Sequence, residues 1–155
     1  MKKYLLDFFK YNESANIKLL DTVKLLNDKS ESIKLFSHFI SSHNKWFNRI
    51  TKETDDKNYS WFDPLYSIDE LGKEWIKCID KWVIYIGKLS EEDLEKEIIF
   101  QRPSDGKKIE VKILDIALQL NYHSIHHRAQ INLIIRRQGI DPPVTDYIFT
   151  VLKEM

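Results

Sequence analysis

The sequence has little of what builds a disulfide-rich or membrane-spanning protein. Cys78 is its only cysteine, so an intramolecular disulfide is impossible. No stretch approaches the roughly 20 consecutive apolar residues of a membrane helix. The apolar residues that follow Met1 are interrupted by Asp7 and Lys10, which is unlike a secretory signal peptide. From these absences we expect a soluble cytoplasmic protein.

Neither sign of charge is in excess. Lys and Arg together number 24, as do Asp and Glu, so the formal net charge is zero. The basic residues form only short pairs, such as Lys107-Lys108 and Arg136-Arg137, whereas a dedicated nucleic-acid-binding protein usually shows a basic face. The composition therefore disfavours a nucleic-acid partner, although a local basic patch is compatible with zero net charge. Salt-dependent binding to DNA would revive that function.

Glycine and proline are also scarce, with four of each among 155 residues, and this favours long helices over many short strands. Apolar residues recur at three- and four-residue steps, the period of an amphipathic helix. Ser67 and Glu70 form a capping-box pattern at one predicted helix start, and Asp28 and Glu31 form another. Cys78 lies on an apolar stripe, and we predict a core role for it. The predicted long helices are residues 5–26, 28–52, 67–89 and 112–138.

The connections complete the predicted fold. Glu53–Tyr66 has no period, and its aromatic residues suggest that it packs over another element. Two short β-rich runs, Ile98–Gln101 and Lys108–Val111, flank turn residues and predict a small hairpin or an extended crossover. A short helix is predicted at Thr145–Lys153. We expect an all-α, up-down four-helix bundle in a single domain, residues 1–155, with this hairpin before the fourth long helix and a short C-terminal helix.

Two histidines occupy core positions of the fourth long helix. Its apolar stripe includes Ile116, Leu120 and Ile131, and His123 and His127 continue it, one turn apart on the same face. A buried imidazole with an unpaired nitrogen costs about 1–3 kcal/mol, and a metal ion removes that cost by taking one lone pair from each ring. A hydrogen-bonded structural pair is the alternative, because a spacing of four also arises by chance.

A third ligand would come from the second helix, which offers His38 and His43. Periodicity slightly prefers His43, because it lies in the cleaner apolar seam with Ile40 and Phe47. His38 is followed one turn later by the small Ser42, which leaves room for a ligand. The spacing does not decide between the two histidines.

Several motifs resemble those of the DinB/YfiT-like family. The stretch "HSIHHRAQINLIIRRQGIDPPVTDYIFTV" is similar to its C-terminal signature, H-x-x-x-H-R-G-Q followed by Arg, Gly, prolines and Asp-Tyr. In "HFISSHNKWFNRI", His38 precedes Trp46 by eight residues and Arg49 by eleven, as in the family's second-helix motif, and His43 does not fit. "YNESANIKLL" resembles the opening motif, with Ser14 where a tryptophan is common.

The resemblance implies an up-down four-helix bundle, often dimeric, with a divalent metal held by three histidines. The implied ligands are His38, His123 and His127, and His43 falls back to a structural or pocket-lining role. His126 would be a neighbour of the site. An all-imidazole site suits zinc or nickel first, with iron, manganese or copper as alternatives. Because no fourth protein ligand is implied, a coordination position stays open.

Characterised relatives include thiol S-transferases, so the resemblance favours a metal-dependent enzyme that activates a small cellular thiol for attack on a small electrophile. No catalytic residue is assigned. Gln130 shares the histidine face, and Asn121, His126 and Arg128 adjoin it in sequence. We expect Arg128 at the helix surface or in a dimer salt bridge, and Trp46 in core packing. The rival function is a non-catalytic metal-binding protein of a stress response.

Overall fold

Four long helices form most of the chain in the computed structural model, which describes residues 1–52, 60–102 and 104–153. They are α1 (Lys2–Val23), α2 (Ser30–Thr51), α3 (Ile68–Lys88) and α5 (Ile113–Arg137), and the single-turn helix α4 (Glu91–Leu94) follows α3. These bounds lie close to the four predicted segments. Among the described helices, none is long and apolar enough to cross a membrane.

The four long helices share one apolar core. α1 packs against α3 and α5, and α2 packs against the same two helices, so each long helix packs against two others. Large side chains with no exposed surface fill the space between them, as the three- and four-residue spacing predicts. They include Leu5, Phe9, Phe36, Trp75, Trp82 and Ile131. Cys78 is buried in the same cluster, as predicted.

The helix starts follow the predicted capping signals in one case and depart from them in the other. At α3 the Glu70 carboxylate accepts hydrogen bonds from the Ser67 backbone nitrogen (2.9 Å) and hydroxyl (2.7 Å). At α2 only the Asp28 half of the predicted box forms, because Gln138 and not Glu31 accepts from the Asp28 nitrogen. There the Asp28 carboxylate accepts from the Ser30 backbone nitrogen at 2.9 Å, and the Asp28 nitrogen donates to Gln138 Oε1 of the last α5 turn at 3.0 Å. A contact across the bundle replaces the predicted contact with Glu31, and the local contact with Ser30 remains.

The predicted hairpin is present. Strands β1 (Glu97–Gln101) and β2 (Lys108–Lys112) pair antiparallel, with Phe100 opposite Ile109. Gly106 adopts φ of 68° in the turn, a value that favours glycine. The hairpin lies beside α2, where Phe100 contacts Trp46 edge-on with ring centroids 5.5 Å apart. The described residues therefore form a mostly helical fold with one small sheet, at the position of the predicted hairpin.

The connection between α2 and α3 is described from residue 60 onward, and Glu53–Tyr59 lie outside the described residues. Residues 60–66 lie across α2. The Ser41 hydroxyl donates to the Asp63 carbonyl at 2.9 Å, and the Tyr66 nitrogen donates to the Ser37 hydroxyl at 3.1 Å. For this part of the connection, the expectation that it packs over another element is confirmed.

The C-terminal helix is shorter than predicted. Gly139, with φ of 78°, follows the end of α5, and a 3-10 helix covers only Tyr147–Thr150 within the predicted span Thr145–Lys153. Ile148, Phe149 and Leu152 are all largely exposed. Because a short helix needs a buried face to persist, this segment does not continue as an α-helix.

Candidate metal centre

His123 and His127 face each other on α5. Their Nε2 atoms are 2.9 Å apart, and their ring centroids are 4.4 Å apart. His127 is buried, and His123 is half-buried and lines a cavity. The apolar period therefore places both rings on the inner face, as the sequence predicts.

His38 on α2 completes the group. Its ring centroid lies 5.1 Å from that of His123 and 4.9 Å from that of His127. Each of the three histidines offers one nitrogen, and these nitrogens all lie within 4.8 Å of one another. Two nitrogens bound to one zinc ion at about 2.0–2.1 Å would be about 3.0–3.4 Å apart in usual coordination geometries. The residues present therefore fit a divalent metal with small side-chain adjustments.

Outer hydrogen bonds select which nitrogen each ring presents. His38 Nδ1 lies 2.6 Å from the Trp61 carbonyl oxygen, and His127 Nδ1 lies 2.7 Å from Gln130 Oε1. Both oxygens only accept hydrogen bonds, so each Nδ1 carries the proton and each Nε2 keeps its lone pair. Metal-binding histidines in other proteins are oriented in the same way by their second nitrogen.

The electrostatics of the pair keep the rings neutral. Burial, together with repulsion from the neighbouring histidines, lowers the pKa of His123 to about 3. Burial also lowers the pKa of His127, although its contact with Gln130 opposes the change. A neutral imidazole is the form that coordinates a metal, so these rings are in the coordinating form at neutral pH.

His43 is not in this group. Its ring is buried between Phe9 and Trp75, with centroids 6.4 and 5.1 Å away, and its Nδ1 lies 2.7 Å from the Phe39 carbonyl oxygen. Burial lowers its pKa to about 4. The preference of periodicity for His43 is therefore not supported, because periodicity finds the most buried position and this cluster lies at the edge of the core.

Arg128 was expected at the helix surface or in a dimer salt bridge, and the structure places it in the interior. It is 3% exposed, not at the surface, and the described residues give it no carboxylate partner. Its guanidinium donates to Asn12 Oδ1 and Asn16 Oδ1, both at 3.0 Å, and to the Tyr11 hydroxyl at 2.8 Å. Arg128 therefore joins α5 to α1, on the side of α5 away from the histidines.

Asn121 and Ser124 belong to the same network, which we call the amide network. It comprises Tyr11, Asn12, Asn16, Asn121, Ser124 and Arg128. Asn12 Nδ2 donates to Asn121 Oδ1 at 2.7 Å, and Asn16 Nδ2 donates to the Ser124 hydroxyl at 2.7 Å. Asn121 is thus a structural residue and does not touch the histidine cluster.

The remaining predicted neighbours lie at the rim. His126 is exposed, with its ring centroid 5.1 Å from that of His127, and its Nε2 is 3.3 Å from Gln130 Nε2. Trp46 is partly buried against the core, as expected, and it also lines a cavity beside the cluster. That cavity has a volume of about 430 Å³, and Ser42, Trp61 and Gln119 contribute to its walls.

Trp61 and Phe62 are site residues that the sequence did not predict. The Trp61 carbonyl contacts His38, and Phe62 stacks on the His38 ring with centroids 4.5 Å apart. A backbone carbonyl has no residue-type signal, so only the path of residues 60–66 reveals the first contact. The aromatic content of the connection was the one available sequence signal for the second.

A mostly helical protein with three clustered histidines beside a cavity belongs to the class of candidate metal-binding helical proteins. More specifically, the DinB superfamily model matches residues 27–131, about two thirds of the chain, and includes all three histidines. The chain belongs to the DinB superfamily, which confirms the resemblance. No curated protein matches the chain.

Proposed function

We propose that this protein binds one divalent metal ion through His38, His123 and His127 and is a metal-dependent thiol S-transferase. Its substrates would be a small cellular thiol and a small electrophile. The observation that carries the proposal is the convergence of three imidazole nitrogens from α2 and α5 within 4.8 Å of one another. We place this site in a single-domain, up-down four-helix bundle.

An open coordination position supports binding of a substrate at the metal. Among the described residues, the group contains three histidines and no cysteine or carboxylate, whereas structural zinc sites usually have four protein ligands. A metal bound there would favour the deprotonated form of a coordinated thiol. The adjoining cavity of about 430 Å³ has the size of a small-molecule site.

The burial of Cys78 supports a reaction in which the thiol belongs to a substrate. Cys78 is the only cysteine, it is 2% exposed, and burial raises the pKa of its thiol to about 12. A thiolate nucleophile is therefore not supplied by this chain, because reactive cysteines are accessible and have a lowered pKa. Thiol chemistry at this site requires a sulfur atom carried by a substrate.

Elemental analysis of protein purified without chelating resins tests the metal site. We expect about one divalent ion per chain, with zinc or nickel first and iron, manganese or copper as alternatives. His38→Ala and His127→Ala should lose it. His126→Ala is the matched control, because this exposed histidine adjoins the cluster but is not in it. Loss of metal in His43→Ala but not in His38→Ala would overturn the ligand assignment.

Turnover is tested separately with the metal-loaded protein. Thiol-dependent conversion of monochlorobimane or an epoxide, absent in His127→Ala, is the expected result. In this reaction the thiol loses its proton and a carbon–sulfur bond forms. Chloride leaves monochlorobimane, or the epoxide ring opens and its oxygen takes up a proton. A metal-loaded protein inert towards a broad panel of thiols and electrophiles would favour the rival, a non-catalytic metal-binding protein of a stress response.

We also propose that the protein is a homodimer with no nucleic-acid or membrane partner. Exposed apolar side chains near the 3-10 helix, including Ile148 and Phe149, support self-association because large exposed apolar patches often mark interfaces. Analytical ultracentrifugation should give twice the 18.6 kDa chain mass. A monomer at micromolar concentration would contradict this part of the proposal.

A further inference from the structure

A second and larger cavity adjoins the first. Its volume is about 630 Å³, and it lies between α2 and the β1–β2 hairpin. Trp46 and Trp61 line both cavities, so the second opens beside the histidine cluster. A molecule bound at the cluster therefore has room to extend towards the hairpin.

The walls of the second cavity are mainly aromatic and apolar. Trp46, Trp61 and Phe100 supply three rings, and Ile109 of β2 adds an aliphatic surface. Phe100 and Ile109 are directly paired across the hairpin, so they present one continuous apolar face. Burying a ligand ring against these groups removes apolar area from water on both partners.

Cationic side chains line the same cavity and contact its rings. The Arg49 guanidinium carbon lies 4.4 Å from the Phe100 ring centroid and 4.7 Å from that of Trp46. Lys45 Nζ lies 4.4 Å from the Trp61 ring centroid. A cation attracts the face of an aromatic ring and not a saturated ring of the same size. Aromatic rings and the cations stacked on them both interact well with a flat aromatic group, so the lining favours such a group over an alkyl group.

We propose that this second cavity binds a flat aromatic group of the electrophile whose reactive end meets the histidine cluster. This inference rests on the proposed function, because that function is what makes the ligand an electrophile. Binding of the aromatic group itself does not require the metal. The cavity sets a preference for aromatic over aliphatic substrates.

The four tryptophans provide the measurement. Trp46 and Trp61 line the cavity, whereas Trp75 and Trp82 lie fully buried in the core and donate their indole protons to the Glu13 and His43 carbonyls. In protein labelled with ¹⁵N-tryptophan, naphthalene-2-methanol should shift the first two indole signals and leave the other two in place. The saturated decalin analogue should bind at least about tenfold more weakly, a difference of about 1.4 kcal/mol.

A matched pair of hairpin variants tests the position of the site. Ile109→Trp fills the cavity and should weaken naphthalene-2-methanol binding by about tenfold or more. Ile99→Trp adds the same side chain at an exposed position of the neighbouring strand, one residue before Phe100 and so on the opposite face, and should leave binding unchanged. Equal affinity for both ring systems, equal shifts of all four indoles or equal affinity in both variants would overturn the inference.

Titrations with metal-free and metal-loaded protein separate this inference from the proposed function. Absence of metal binding together with selective naphthyl binding would refute the three-histidine site and support the aromatic cavity. Stoichiometric metal binding without naphthyl binding would overturn the aromatic cavity and leave the metal site intact.

Discussion

The polar side chains on the two sides of α5 differ in what their polar atoms face. Towards α1, Arg128 and its partners in the amide network bond to one another, and all of them are buried. Towards α2, His123 and His127 direct Nε2 atoms at each other beside a cavity. The α5 members of both groups lie within residues 121–128.

The difference shows how a polar cluster signals its role. Buried polar groups are normally hydrogen-bonded within the protein, and the amide network meets that requirement without any ligand. In the histidine cluster, the outer nitrogens of His38 and His127 are bonded to protein oxygens, and the inner nitrogens converge. The first arrangement is typical of a structural network, and the second is typical of a metal-binding site.

Replacing Arg128 should give the largest effect on stability. In Arg128→Met, three acceptors on Asn12, Asn16 and Tyr11 lose their donor, which should lower the free energy of unfolding by on the order of 3 kcal/mol or more. Urea unfolding measures the change. Arg137→Met, at an exposed position on the same helix, is the control and should cost less than about 0.5 kcal/mol. Equal costs would show that the amide network is not structural.

His43 is a fully buried histidine that belongs to neither the amide network nor the histidine cluster. Burial lowers its pKa from 6.5 to about 4, so the folded state stays neutral where the unfolded chain takes up a proton. Its contribution is complete above about pH 6.5 and is lost as the pH falls to about 4, for a total on the order of 3 kcal/mol. His123 acts in the same direction.

Urea unfolding of metal-free protein at pH 7.5 and pH 4.5 isolates the part due to His43. The loss of stability between the two pH values should be smaller in His43→Gln than in the wild type. His126→Gln, at an exposed position, should behave as the wild type. An unchanged pH dependence in His43→Gln would show that the buried ring does not resist protonation.

Added metal should distinguish the histidine cluster from the amide network. Zinc at about 100 times its Kd stabilises a folded protein by about 2.7 kcal/mol. For a chain of this length, that corresponds to a rise in Tm of roughly 5–10 °C. Differential scanning calorimetry should show this rise in the wild type and in Arg128→Lys but not in His127→Ala. A similar rise in His127→Ala would place the metal elsewhere.

Gln130 should have the smallest effect, confined to metal affinity. Gln130→Leu removes the oxygen that accepts from His127 Nδ1, and loss of such an orienting partner typically weakens metal binding 10–100-fold. Competition with a chromophoric chelator measures the affinity. Gln130→Glu keeps an acceptor and should retain wild-type affinity. Equal affinity in Gln130→Leu would show that this contact does not orient the ring.

Local patterns were sufficient for much of the fold. The apolar period located the four long helices, and turn residues located the hairpin. The i, i+4 spacing placed His123 and His127 side by side, because helix geometry fixes which residues share a face. The predicted C-terminal α-helix did not form because Ile148, Phe149 and Leu152 stay largely exposed, and their burial depends on the rest of the chain.

Contacts between distant residues were beyond these patterns. Arginine is usually a surface residue. Arg128 can be buried because its guanidinium donates to acceptors on α1, more than 100 residues away in sequence. The choice between His38 and His43 was open in the spacing, and the family resemblance favoured His38. In the structure His38 lies beside the α5 pair, because residues 60–66 cross α2 at that point and hold its ring.

The sequence by itself determined where helices form and which imidazoles share one helical face, since both follow from a repeat of 3.6 residues per turn. Only the tertiary structure decided which rings from different helices meet, and which charged side chain the interior accepts. Such decisions depend on the burial and orientation that packed helices impose on one another, and a one-dimensional pattern does not contain that information.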